Sequence, residues 1–282
     1  MDTNYGKKTA PPTQLIAKSF GSRKRPVLLN GGQCTTYISD NIVLKPVGRV
    51  ESLNWKAEVF NNLPEVSSVR FTRFVRSIYN TWIYEDYSAC FFLSGKHVSG
   101  KYEEKLKASR EYHKLLKNIK KPSFLDVPGG PWSTANKVAL DEKEFDYDQD
   151  FFDLYNQIKP HLEPLDRNKQ LVHADLSGNF LFDEILPPAI IDFSPAWAPN
   201  GFAEAIMLAD AIVWENADYK DLEVFKKVPN IGKLAWRGVL TRIVEQAEHI
   251  KWFGKDRVLA VKDAQAFQKA IDYLKTNFNK EE

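Results

Sequence analysis

The chain has 282 residues, a formal net charge of +2, 43% hydrophobic residues and 27% charged residues. That length is enough for more than one compact unit with a sizeable core, and the near-neutral balance argues against nucleic acid or an anionic membrane as the main partner. Two cysteines, Cys34 and Cys90, form neither a disulfide framework nor a metal-type spacing, no apolar run reaches the roughly eighteen residues of a membrane span, and the start KKTAPPTQ reads as a short polar tail, so a cytoplasmic setting is expected.

Residues 13–20 (TQLIAKSF) read as a short lead-in, helical or extended. Residues 25–30 read as a strand, followed by Gly31-Gly32-Gln33, a second strand at 35–39, an Asp40-Asn41 turn and a third strand at 42–44 that runs into Lys45-Pro46. A glycine pair lets backbone approach a ligand closely, but it marks ordinary hairpins as well. ESLNWKAEVFNNLP reads as a helix stopped by Pro64. Trp55, Val59 and Leu63 recur at helical spacing with Glu58 beside that stripe. A carboxylate there calls for a cation. Lys45 is one candidate, Lys56 and Arg70 the others. Residues 69–77 and 81–93 are rich in aromatic and β-branched residues and extend the sheet. Ser94-Gly95 breaks the pattern and reads as a linker, which divides the chain into a small lobe, 1–93, and a large lobe, 94–282.

The large lobe opens with an amphipathic helix, 101–119, carrying Leu106, Ser109, His113 and Leu116 on one face. Its KNIKK end suits a solvated C-terminus, and His113 is expected packed or hydrogen-bonded rather than ligating. Residues 122–136, rich in Pro, Gly and Ser, read as a loop. DEKEFDYDQD (141–150) sets six acids around one lysine. Such a run is ordinarily solvated, and its functional reading is a wall that draws in a cationic substrate. Residues 154–162 read as a helix.

The segment QLVHADLSGNFLFDEILPPAIIDFSPAW (170–197) carries the chemistry. Apolar runs at 180–182 and 189–191 flank an acidic, proline-containing turn, the pattern of a β-hairpin. With the turn centred between Ile185 and Leu186, Asn179 faces Asp192 at the open end, and Asp175 lies just upstream. An amide oxygen and carboxylates converging on one point suit Mg²⁺, which takes one or two carboxylates and completes its shell with phosphates and water. SPAWAPNG reads as a loop. FAEAIMLADAIVWENA is an almost wholly apolar, buried helix in which Asp210 needs a partner. Helical patterns at 234–250 and 258–278 complete the chain.

HADLSGN followed by a strand, a turn and IDF resembles the catalytic and metal-binding segments of the aminoglycoside phosphotransferase/choline kinase-like family, relatives of the protein kinases. The interval from Asp175 to Asn179 is one residue shorter than in the kinase pattern, and Ser194 stands where protein kinases have Gly. The resemblance implies an α+β, two-lobed protein kinase-like fold, with an antiparallel sheet and one helix in the small lobe and a mainly helical large lobe. It implies Asp175 as catalytic base, Asn179 and Asp192 as ligands of Mg²⁺, and His173 as a structural residue of the loop. Lys45, paired with Glu58, would meet the α- and β-phosphates of ATP. Gly31 and Gly32 would cover the phosphates, and Phe92, Leu93 and Ser94 would meet the adenine edge. Asp210 would hold the catalytic loop. The activity implied is transfer of the γ-phosphoryl group to a hydroxyl of a small molecule; the alternatives are a catalytically inactive kinase-like nucleotide-binding module and a small-molecule-binding protein whose hairpin is purely structural. Trp197, Glu204, Trp214 and Trp236 are candidates to line the acceptor site, with a core position the competing reading of each. The acceptor itself does not follow from a fold.

Overall fold

The computed structural model describes residues 10–29, 34–254 and 259–278. Gly31 and Gly32 lie outside the described residues. The chain divides into two compact units, Met1–Gly95 with Leu181–Ile191, and Lys96–Phe180 with Asp192–Glu282.

In the first unit, the lead-in is a helix, α1 (Gln14–Ser19), whose N-cap Thr13 accepts a hydrogen bond from the Ile16 amide. The strands β1 (Val27–Leu28), β2 (Tyr37–Ser39) and β3 (Ile42–Pro46) follow, then the helix α2 (Val50–Asn62). After them come β4 (Arg70–Phe71), β5 (Phe74–Val75), β6 (Ile83–Tyr84) and β7 (Tyr87–Phe91). An antiparallel sheet runs in the order β1-β2-β3-β7-β5, with β6 paired to β7. Alternation along β3 decides its faces. Ile42 and Leu44 pack with Tyr87 and Ala89 against Ile16 and Ala17 of α1 and its C-cap Phe20, so Lys45 points to the opposite face. The helix α2 stops at Leu63 before Pro64, where the Arg73 guanidinium donates to the Phe60 and Leu63 carbonyls that the helix end leaves open.

The segment 181–191 joins this first unit, whereas the sequence pattern placed it in the large lobe. The strand β10 (Ala189–Ile190) pairs in parallel with β4, Ala189 opposite Arg70 and Ile190 opposite Phe71. With β9 (Phe180–Leu181) they form a three-stranded sheet in the order β4-β10-β9. Arg70 ties the arrangement together, donating to Pro187 O at 2.8 Å and to Ser94 O at 2.9 Å, while Ser94 Oγ donates to Asp183 at 2.7 Å. Gly95 is required here. Its φ is +133°, and a Cβ would stand 2.9 Å from Phe182 O.

The second unit holds α3 (Tyr102–Leu116), α4 (Pro131–Ala139), α5 (Gln149–Ile158), β8 (Lys169–His173), β11 (Pro195–Pro199), α6 (Phe202–Val213), α7 (Ile231–Phe253) and α8 (Val261–Asn277). Two elements depart from the sequence reading. The expected loop at 122–136 gives way to α4, whose Pro131 occupies the first turn, where a missing N–H costs nothing. The expected loop at SPAWAPNG contains β11, which among the described residues pairs with β8 alone and so tolerates prolines at both of its ends. All twelve residues of α6 are buried. The helix α7 crosses it closely at Gly238, where a Cβ would fall 2.2 Å from Ala205 O.

Candidate active site

The antiparallel pairing of β8 with β11 sets His173 opposite Pro195, and Ala174 N donates to Ser194 O at 2.8 Å. The segment after β8 is thereby fastened to the segment before β11. His173 is fully buried and acts as the fastener, its Nδ1 accepting from Asp175 N at 3.2 Å and from Ser194 N at 3.5 Å. His173 N in turn donates to His113 Nε2 at 3.0 Å. That bond assigns the His113 proton to Nδ1, which faces Glu204 at 3.3 Å. Ser109 Oγ also donates to Glu204. Burial alone would raise the Glu204 carboxyl, but hydrogen bonds from His113 and Ser109 outweigh it and hold the group below its ordinary range.

The one-residue-shorter interval from Asp175 to Asn179 is closed by a 3₁₀ turn over Ser177–Asn179. Asn179 Nδ2 donates to Asp175 O at 2.6 Å and lies 3.3 Å from Asp175 Oδ2. Ser177 Oγ donates to Asp210 Oδ2 at 2.6 Å. Asp210, 2% exposed, also accepts from Arg242 Nε and Nη2, both at 2.6 Å. Arg242 Nη2 reaches on to Asp175 Oδ1 at 2.9 Å, and Nη1 donates to Glu245. One guanidinium therefore serves three carboxylates. Glu245 is raised above the usual carboxylate range by burial, with Asp175 and Asp210 adding to the effect and Arg242 opposing it.

These groups border a cleft of about 360 Å³ in the second unit. Asp175, Ser177, Asp210, Arg242, Glu245 and Gln246 line it together with Trp132, Trp214 and Glu215. Glu215 is anchored by Ser99 Oγ, Gly100 N, the Tyr102 hydroxyl and Lys105 Nζ, which more than offset the upward push of burial and leave it below its usual range.

Asp192 is exposed and has φ +51°, a left-handed conformation uncommon outside glycine and one that tends to collect at functional sites. Among the described residues, no group of three or more His, Cys, Asp or Glu side chains forms a metal cluster.

The first unit differs from expectation in one pairing. Glu58 accepts from Arg76 at 2.8 Å and from Trp82 Nε1 at 2.7 Å, instead of the expected Lys45. Arg76 also lies over the Trp82 ring at 3.9 Å, so cation and indole reach the carboxylate as a stacked pair. In the 92–94 stretch, Phe92 N donates to Asn41 O, and Ser94 O accepts from Arg70. Two of the backbone groups expected to face adenine are thus engaged within the protein.

Of the four residues considered for the acceptor site, Trp214 lines the cleft. Glu204 is buried with His113 and Ser109, and Trp236 is core, stacked on His161 at 4.0 Å. Trp197 lines a smaller crevice with Lys121, Ser133 and Lys137. No residue of the 141–150 acidic run lines the cleft. Asp141 pairs with Arg237 and Glu142 with Lys169, so part of that run serves ordinary ion pairs. Sequence reasoning missed Arg242, Glu245 and Trp132. For Arg242 a signal existed, because an arginine inside the apolar run LTRIV must find carboxylates if the helix is buried.

No family model and no curated protein sequence matches the chain. Solved structures do match. Choline kinase LicA from Streptococcus pneumoniae aligns with a TM-score of 0.60 at 12% identity, over 94% of this chain and 99% of that one. Spectinomycin phosphotransferase APH(9)-Ia, in complex with ADP and spectinomycin, aligns at 0.56 and 15% identity, over 94% and 93%. Amicoumacin kinase hAmiN, in complex with AMP-PNP and Ca²⁺, aligns at 0.59 and 13% identity, over 88% of each chain. The chain has an α+β protein kinase-like fold, the one shared by the aminoglycoside phosphotransferase/choline kinase-like kinases.

Proposed function

We propose that the protein is an ATP-dependent phosphotransferase that moves the γ-phosphoryl group to a hydroxyl of a small molecule. The observation that carries this reading is Asp175, held at the edge of an open cleft by Arg242 and Asn179 in a loop that Ser177 fastens to Asp210. A carboxylate fixed in that way orients an acceptor hydroxyl and takes its proton as the phosphoryl group leaves. Solved structures of the same fold in complex with ADP or AMP-PNP support a nucleotide as the donor.

Asn179 and Asp192 would hold a magnesium ion. The donor set fits, since an amide oxygen and an exposed carboxylate are hard ligands that leave room for phosphate and water. Such an ion would neutralise charge on the transferring phosphates. In the first unit, Lys45 is the cation we assign to the nucleotide phosphates, Gly31 and Gly32 remain the proposed phosphate cover, and Phe92, Leu93 and Ser94 the adenine edge. His173 and Asp210 hold the loop in shape.

The cleft also bears on the acceptor. Its lining sets four carboxylates, Asp175, Asp210, Glu215 and Glu245, against one guanidinium, together with two indole rings. A hydroxyl compound carrying an amine suits that lining, because indole faces and carboxylates both favour cations.

The test has two parts. Melting temperature is followed with AMP-PNP, with and without Mg²⁺, and ADP release from ATP is then measured across a panel of amine-bearing alcohols. The reading expects a magnesium-dependent upward shift and turnover that falls by about 10²–10⁴ in Asp175→Asn. Absence of any nucleotide shift refutes it, and nucleotide binding without turnover on any acceptor leaves a binding module instead.

A further inference from the structure

Asp175 has two carboxylate oxygens, and the proposed reaction needs one of them for the acceptor hydroxyl. The two are held unequally. Oδ1 takes a charge-assisted bond from Arg242 Nη2 at 2.9 Å, whereas Oδ2 has the 3.3 Å contact from Asn179 Nδ2. Arg242 itself has little freedom. Nε and Nη2 fork onto Asp210 at 2.6 Å each, and Nη1 goes to Glu245 one turn further along α7. The Asp210 fork alone would fasten α7 to α6. The additional reach to Asp175 bears on the side chain in this cluster that would take the acceptor's proton.

We propose that Arg242 is a positioning residue for phosphoryl transfer, pinning Asp175 by Oδ1 so that Oδ2 is the oxygen presented to the acceptor. The inference rests on the phosphotransferase reading of the same cleft. In the step itself, the acceptor hydroxyl gives its proton to Asp175 Oδ2 as its oxygen bonds to the γ-phosphorus. The bond from that phosphorus to the bridging oxygen breaks, and its electron pair leaves with ADP. Arg242 stays protonated throughout. Its planar fork, seated on Asp210, is what aims Nη2 at Asp175 Oδ1, and an ammonium group has no equivalent.

Mg·ATP is the probe, with steady-state ATP hydrolysis giving kcat and KM, and the AMP-PNP-induced thermal shift reporting nucleotide binding independently. Arg242→Lys keeps the charge and loses the fork. Its expected outcome is an unchanged nucleotide shift and KM for ATP with kcat lower by at least about tenfold, since small misplacements of a reacting group are costly. Arg242→Ala should lose more, and guanidinium ion well below its denaturing range should restore part of the turnover where ammonium does not. Full turnover in Arg242→Lys overturns the role, as does absence of guanidinium rescue in folded Arg242→Ala. A fall in kcat matched by loss of the nucleotide shift marks the residue as merely structural and overturns it equally. If the single variants melt below assay temperature, Arg242→Gln combined with Asp210→Asn replaces the ion pair by an amide pair and carries the same expectation; undiminished turnover in it overturns the role. An unaltered chain with neither nucleotide shift nor turnover refutes the phosphotransferase reading itself, and this inference with it.

Discussion

Replacing Asp210 with alanine removes one carboxylate that accepts three hydrogen bonds, from Arg242 Nε, Arg242 Nη2 and Ser177 Oγ, each at 2.6 Å. Both charged partners are buried, with side-chain exposures of 8% for Arg242 and 3% for Asp210. Breaking a buried pair from one side costs about 3–5 kcal/mol, because the surviving charge is left in a poor environment. Here Arg242 keeps Glu245 and Asp175, so the lower part of that range applies to the pair. The stranded Ser177 hydroxyl adds about 1 kcal/mol. A total near 4 kcal/mol corresponds to a melting temperature lower by about 10 °C, at the roughly 2–4 °C per kcal/mol usual for chains of this size class. Thermal melts followed by circular dichroism, with Asp210→Asn alongside, measure it. The asparagine variant keeps an acceptor and loses the charge, so it should fall between the alanine variant and the unaltered chain. An alanine variant melting within about 2 °C of the unaltered protein would refute the claim that this pair holds α6 to α7.

Three further outcomes are expected. Gly238→Ala puts a Cβ 2.2 Å from Ala205 O and 2.5 Å from Ala205 C, backbone that cannot step aside, so it should cost about 1–3 kcal/mol or more, read from the urea midpoint. Asp175→Asn should lower magnesium-dependent ATP turnover by about 10²–10⁴ and keep the nucleotide-induced thermal shift. At low pH, Asp183 is held at about 2 by hydrogen bonds from Ile185 N, Ser94 Oγ and Leu186 N, and Asp40 at about 2 by Arg23 N and Ser22 Oγ, against an ordinary 3.8 for both. Each folded value lies below the unfolded one, so their contribution is complete above about pH 4 and is lost as pH falls toward 2. A pH series of melts should show that loss, and Asp183→Asn should flatten part of it. Equal pH dependence in the variant counts against this account.

What the sequence revealed was set by distance along the chain. Asp175, Asn179 and Asp192 fall in one short stretch whose turn and strand signals are local, so their spacing could be read directly. Arg242 lies 67 residues after Asp175. Nothing local shows which carboxylates an arginine on α7 will meet, although its place in an apolar run shows that it must meet some. Glu58 illustrates the same limit. Its position beside an apolar stripe indicated a cation correctly, but Arg76 and Trp82 reach it through the fold of the β5–β6 region rather than through helix spacing. Proline misled twice, at Pro131 and at Pro195 and Pro199. It was read as a breaker, while a helix's first turn and an edge strand's ends both admit it.

The membership of Leu181–Ile191 in the first unit has a consequence for synthesis and for dissection of the molecule. The polypeptide leaves that unit after Gly95 and re-enters it 86 positions later to supply β10, the parallel neighbour of β4. A ribosome must therefore emit about half of the second unit, Lys96–Phe180, before the first can finish its smaller sheet, and a fragment ending at Gly95 would expose β4 as an unpaired edge. Cutting the chain into two contiguous pieces cannot yield both units whole. Supplying 181–191 in trans, or permuting the chain so that this stretch follows Gly95 directly, should succeed where simple truncation fails.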